Sequence, residues 1–157
     1  MSAEEVWALL REVPDPEIPR VSIVDMGMIG EVQVSGGKAQ IELIPTFAGC
    51  AAVPLMVREI GERLRARGIA AEVRVNYGAA WSPERIRPEG WKALRAAGFA
   101  VPTHLTDDPE ALFEDVACPR CGSTATSLLS PFGPTACRAI FKCHACGEAF
   151  ELFKPPV

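Results

Sequence analysis

Long apolar runs are missing from this 157-residue chain. None approaches the roughly 20 residues that cross a bilayer, which excludes a helical membrane protein and predicts a soluble one. The N-terminus, Met1-Ser2-Ala3-Glu4-Glu5, has neither the basic start nor the apolar stretch of a secretory signal, so the expected location is the reducing cytoplasm. A basic stripe is lacking too. Residues 1–115 hold 12 Lys and Arg against 18 Asp and Glu, and residues 116–157 hold four against two, so the two stretches carry −6 and +2. That distribution excludes nucleic acid as the expected partner. What the chain has is apolar content, 48% of its residues, enough for a packed core, and six cysteines.

In a reducing compartment six cysteines mean thiolates and metals rather than disulfides. Four of them form two matched turns, Cys118-Pro119-Arg120-Cys121-Gly122 and Cys143-His144-Ala145-Cys146-Gly147. Each C-x-x-C spacing lets two sulfurs reach one ion, and the glycine that follows can turn the backbone beneath them. Two such knuckles make a four-thiolate zinc site, with a hairpin slightly longer than usual between them. No βαβ pattern flanks either knuckle, which argues against a thioredoxin-like redox motif. Zinc explains folding of this lobe before it explains function.

Along the chain, Val6, Leu9, Leu10 and Val13 recur at helical spacing and predict a helix over 3–13, stopped by Pro14. Asp15-Pro16-Glu17-Ile18-Pro19 is a rigid connector, because prolines remove donors and push their predecessors to extended backbone. Asp15 and Glu17 are turn or cap residues there, or functional ones. Asp25 lies in apolar company and is expected to accept backbone hydrogen bonds. Alternation over 29–34 and 39–44 around Gly36-Gly37 predicts a hairpin, and 51–67 reads as an amphipathic helix with Pro54 in its first turn. That order puts Cys50 on a strand-to-helix loop near a helix N-terminus, where free amides and the dipole favour thiolate over thiol. Two readings stand for it: a small buried hydrophobe, or a metal-binding or reactive thiol. Thr46, four residues earlier, can donate to the sulfur or tie the loop.

A third strand follows over 71–77, then a short helix over 88–97. Residues 101–115 look like a linker between a first domain, 1–100, and a last one, 116–157. His104 reads as a solvated loop histidine. Strands are expected over 124–130, 136–142 and 148–154, the layout of a zinc ribbon. Cys137 sits on the strand face of Ala139 and Phe141, either packed in a small core or held for a second metal event. His144 is available as a substitute ligand that four cysteines make unnecessary.

The run Asp15-Pro-Glu-Ile-Pro, then Ile23-Val-Asp25-Met-Gly27-Met-Ile29, then Pro45-Thr46-Phe-Ala-Gly49-Cys50 resembles the small α+β family of iron–sulfur cluster assembly, which includes SufT-like proteins. Residues 81–99 and the cysteine lobe, with Phe132-Gly-Pro-Thr-Ala-Cys137 and Phe150-Glu-Leu-Phe153-Lys154, resemble the PaaD family. Those proteins are accessory components encoded with the phenylacetyl-CoA epoxidase of bacterial phenylacetate degradation. The likeness implies an α+β class, a small iron–sulfur-assembly-type α/β sandwich with a C-terminal four-cysteine zinc ribbon. It further implies a maturation role without catalysis, in which transient iron or an iron–sulfur cluster is held by Cys50, alone, with Cys137, or with Cys50 of a second copy. Thr46, Asp15, Glu17 and Asp25 match the family's other recurrent polar positions. The implied partners are the oxygenase or reductase subunits of the epoxidase, and a homodimer. Two departures stand out: Ala51 occupies the place where Pro is expected, and Pro155-Pro156-Val157 ends the chain where related chains carry another cysteine. The competing reading is a zinc-ribbon scaffold with no metal transfer. A thiol oxidoreductase lacks a resolving cysteine beside Cys50.

Overall fold

A computed structural model describes residues 1–46, 49–102, 108–134 and 137–154. The expected loop role of His104 and the terminal 155–157 lie outside the described residues. The chain divides into two compact units, Met1–Gly90 and Trp91–Val157.

In the first unit, α1 (Ala3–Leu10) opens with a reciprocal capping box: Ser2 Oγ accepts the Glu5 amide at 3.2 Å and Glu5 accepts the Ser2 amide at 2.6 Å. It ends three residues short of the expected 13, although Val13 is fully buried. β1 (Ile29–Ser35) and β2 (Lys38–Leu43) pair antiparallel across the Gly36-Gly37 turn, and β3 (Ala70–Val75) adds to β2 in parallel. Between them runs α2 (Val53–Ala66), whose Met56, Ile60 and Leu64 recur every four residues and are buried. α1 packs on β1, α2 on β3, and the helices touch each other. The inward positions Ala39, Ile41 and Leu43 are buried, whereas Gln33, Gln40 and Glu72 pair across the opposite, exposed face. The result is the expected α/β sandwich.

Residues 81–90 form a strap that sequence patterning does not suggest. A 3-10 turn, Pro83–Arg85, leads into α3 (Pro88–Ala96). Three consecutive carbonyls are gripped: Asp25 O by the Arg87 amide, Met26 O by Trp81 Nε1 and Gly27 O by Arg85 Nε, each at 2.8 Å.

The second unit holds β4 (Thr126–Ser130), β5 (Arg138–Cys143) and β6 (Ala149–Phe153) in one antiparallel sheet, with a short α4 (Pro109–Leu112) before it. The expected linker is partly built into this unit. The Ala100 amide donates to Glu151 O at 2.9 Å and Ala100 O accepts the Phe153 amide at 3.0 Å, while Leu112 and Val116 are buried. Apolar residues on the linker's flanks therefore serve the ribbon core, with Phe141 at its centre, 5.7 Å from the Phe150 ring and 5.9 Å from Phe113. No helix among the described residues is long and apolar enough to cross a membrane.

Candidate metal centres

The first centre is Cys50. After β2 the Ile44 amide ties to Met28 O at 2.7 Å, and the chain then passes the buried Thr46 to reach Cys50, which is half-buried two residues ahead of the Ala52 N-cap.

At Cys50 the balance leans toward thiol rather than the expected thiolate. Burial pushes the thiol above its ordinary value; the Ala52 amide pulls it down, the carboxylates of Glu17 and Asp15 push it further up, and the Val53 amide pulls it down in turn. Two amides lose to desolvation and two negative charges. Asp15 and Glu17, far from Cys50 in sequence, come close enough to act on its charge. Asp15 is also the turn residue of its loop: buried, it accepts the Glu17 and Ile18 amides on Oδ1 at 2.8 and 3.3 Å, and its own amide closes on Val21 O at 2.8 Å.

Asp25 stands apart. Its carboxylate faces the Arg87 guanidinium at 3.9 Å, and Ser22 Oγ caps its amide at 3.0 Å. Sequence patterning does not single out Arg87, which lies in the strap and carries no motif.

The second centre is the four-cysteine set. The sulfurs of Cys118, Cys121, Cys143 and Cys146 all lie within 4.8 Å of one another, Cys118 to Cys146 at 3.8 Å and Cys121 to Cys143 at 3.6 Å. Metal–sulfur bonds of about 2.3 Å in a tetrahedron require sulfur separations of about 3.8 Å, so the set fits one ion. Both knuckles are built alike. The amides of Cys118 and Cys143 donate to Ser123 O and Glu148 O at 2.9 Å each, and Gly122 and Gly147, at φ +76° and +79°, close on Cys118 O and Cys143 O at 2.9 and 3.0 Å. The Cys146 amide, 3.5 Å from the Cys143 sulfur, leads in lowering that thiol to about 7. Cys146, though drawn down by the Glu148 amide, is pushed up to about 11 by desolvation and its sulfur neighbours.

Cys137 is not in that set. It is buried on the strand face of Ala139 and Phe141, and its carbonyl accepts the Lys154 amide at 2.8 Å. His144 Nε2 hydrogen-bonds Ser127 Oγ at 2.8 Å instead of replacing a sulfur. Nor does the sequence pattern flag Lys154: it is fully buried, its Nζ stands 4.9 Å over the Phe132 ring, and burial lowers its amine, which the Cys137 sulfur partly offsets.

Residues 3–76 match the family model described as iron-sulfur cluster assembly protein, and residues 103–154 match the PaaD zinc beta ribbon domain. A solved DUF59 domain from Bacillus anthracis superposes with a TM-score of 0.55 at 28% identity, covering 59% of this chain and 90% of that one. A conserved hypothetical protein from Thermotoga maritima shares the fold, with a TM-score of 0.51 at 23% identity over 57% of this chain and 89% of that one. Over nearly its whole length the chain is 37% identical to the Escherichia coli (strain K12) protein named as the putative D component of 1,2-phenylacetyl-CoA epoxidase, across 155 residues, 96% of this chain and 91% of the relative. An assembly-type sandwich, a four-cysteine ribbon and this end-to-end likeness together place the chain in the PaaD family of phenylacetyl-CoA epoxidase components.

Proposed function

We propose that this chain is a non-catalytic accessory factor of a phenylacetyl-CoA epoxidase, acting in phenylacetate degradation in the cytoplasm, where it helps assemble or insert the enzyme's iron or iron–sulfur centre. The observation that carries the reading is the half-buried Cys50 thiol set just ahead of α2 in a unit that matches an iron-sulfur cluster assembly family over residues 3–76. A metal that binds the thiol displaces its proton, and the proton competes to release it. The carboxylates that resist ionisation of the thiol also attract a cation. A single thiolate with acidic neighbours holds iron less permanently than four thiolates, which suits transfer. In the ribbon, zinc is the ion we assign to Cys118, Cys121, Cys143 and Cys146, as a structural centre, and the ribbon docks on the oxygenase or reductase subunit. Cys137, or Cys50 of a second copy, is the candidate for an additional ligand.

The test is reconstitution of the epoxidase from apo subunits. Cys50→Ser should leave the subunits poorly loaded with iron, and full loading with that variant removes the proposal. A scaffold without metal transfer is the second reading, favoured by the ribbon's matching a family described as the PaaD zinc beta ribbon domain. It predicts normal loading with Cys50→Ser and loss of complex formation when the ribbon is broken.

A further inference from the structure

Residues 21–28 support both the turn that carries Asp15 and Glu17 and the segment that leads to Cys50. Towards the acids, the Ile23 amide donates to Val13 O at 3.0 Å, the Asp15 amide donates to Val21 O at 2.8 Å, and Pro14 pairs with Ser22 in an antiparallel bridge. Towards the thiol, the Ile44 amide donates to Met28 O at 2.7 Å. Val21, Ile23, Val24, Met26 and Met28 are all buried, yet no helix or strand covers them, so no regular ladder holds this stretch in shape. Its hydrogen bonds are divided instead. The amides of Met26, Gly27 and Met28 close on Ser22 O, Val24 O and Ile23 O at 3.0 Å each, whereas the carbonyls of Asp25, Met26 and Gly27 are met only from the strap described above. Two of those three donors are side chains, Trp81 and Arg85. The fit leaves no slack, since a Cβ on Gly27 would meet Arg85 and one on Gly90 would meet Asp25 O.

We propose that Trp81 and Arg85 are positioning residues of the Cys50 site: by fixing the carbonyls of Met26 and Gly27 they set how the acid-bearing turn and the thiol-bearing segment stand to one another. The inference rests on the metal role given to Cys50 above. Both residues act through the 21–28 stretch rather than on the metal. A donor lost at either carbonyl leaves a buried acceptor unpaired, and the stretch relieves that by shifting. Because the acid turn is tied near one end of it and Ile44 at the other, a shift moves the two apart or together. The sulfur's exposure and the field it feels then change with no ligand altered, since Coulomb interactions follow separation. Support of this kind, one layer behind the ligands, is what holds a metal site to its working geometry.

The zinc-loaded, full-length chain is compared as wild type, Trp81→Phe, Arg85→Ala and Arg85→Lys, the last of which keeps a donor and its charge. Ile60→Val, a change in the core face of α2, serves as a control for destabilisation alone. Ferrous ion is titrated anaerobically, alkylation of the Cys50 peptide is followed by mass spectrometry, and urea unfolding reports stability. Ferrous affinity about tenfold weaker in Trp81→Phe and Arg85→Ala, with several-fold faster alkylation of Cys50 and both recovered in Arg85→Lys, supports the inference. Wild-type affinity and alkylation in variants whose urea midpoint has fallen overturn it, because the strap then only holds the fold together. So does an equal change in Ile60→Val. Should Arg85→Ala fail to fold, Trp81→Phe decides, since it keeps an aromatic ring in place. Failure of the metal role has a different signature: wild type and Cys50→Ser take up ferrous ion equally, and the alkylation rate alone then decides the positioning role.

Discussion

Cys50 shows how little a local motif says about charge. A helix N-terminus lowers a thiol pKa, and two amides do so here, yet burial and the Glu17 and Asp15 carboxylates reverse the sign. Glu17→Gln should therefore alkylate faster at Cys50 than wild type near neutral pH, followed by mass spectrometry of the Cys50 peptide. An equal or slower rate would mean that the carboxylate does not act on the sulfur. Proton linkage has a matching sign. With its pKa raised in the fold, Cys50 contributes stability that is complete below the ordinary thiol value and is lost as pH rises through the raised one. Glu17→Gln should soften that alkaline loss, which pH-dependent urea unfolding measures. At the same scale, Asp25 belongs with Arg87 and the strap rather than with the thiol.

Among elements, the strap of residues 81–90 fixes the loop that carries Asp25, Met26 and Gly27. Gly27 has φ +69°, and a Cβ there would meet the Arg85 carbonyl. Gly27→Ala should cost about 3 kcal/mol, from left-handed strain plus the clash, read as a lower urea midpoint at unchanged slope. Trp81→Phe keeps the ring but leaves the Met26 carbonyl without the indole donor, at about 1–2 kcal/mol. None of this strap is periodic or charged in a telling way, so a reading of patterns passes over it. The hairpin and α2 are legible to within a few residues because alternation and four-residue recurrence are written in adjacent positions. The 101–115 stretch misleads for the opposite reason. Its apolar residues are too few to show a period, and Phe113 finds its place only against the ribbon core.

On the scale of the whole molecule, a sandwich that forms its own core is joined to a small sheet whose core includes two of the four cysteines, Cys118 and Cys143. Removing the ribbon's metal should therefore unfold part of the chain only. A strong chelator is expected to abolish amide protection in β4, β5 and β6 while α2 and β1 to β3 stay protected, as hydrogen exchange would record. Uniform loss throughout would show that one metal supports both units. Cys118→Ser should lose the zinc and Cys50→Ser retain it, at about one per chain in metal analysis.

The sequence by itself determined the four-cysteine cluster, the order of the main helices and strands, and the family, because each depends on spacing between near neighbours in the chain. Two matched knuckles specify a tetrahedral set before any coordinate is known. Tertiary structure decided which candidates act together and in what state of charge. It placed the Glu17 and Asp15 charges where they act on Cys50, set Asp25 opposite Arg87, left Cys137 outside the four-sulfur set, and bulged β4 at Leu129. The physical reason is common to all four. Desolvation and Coulomb interactions depend on distance through space, and a one-residue slip in a ladder resets which side chains are hidden.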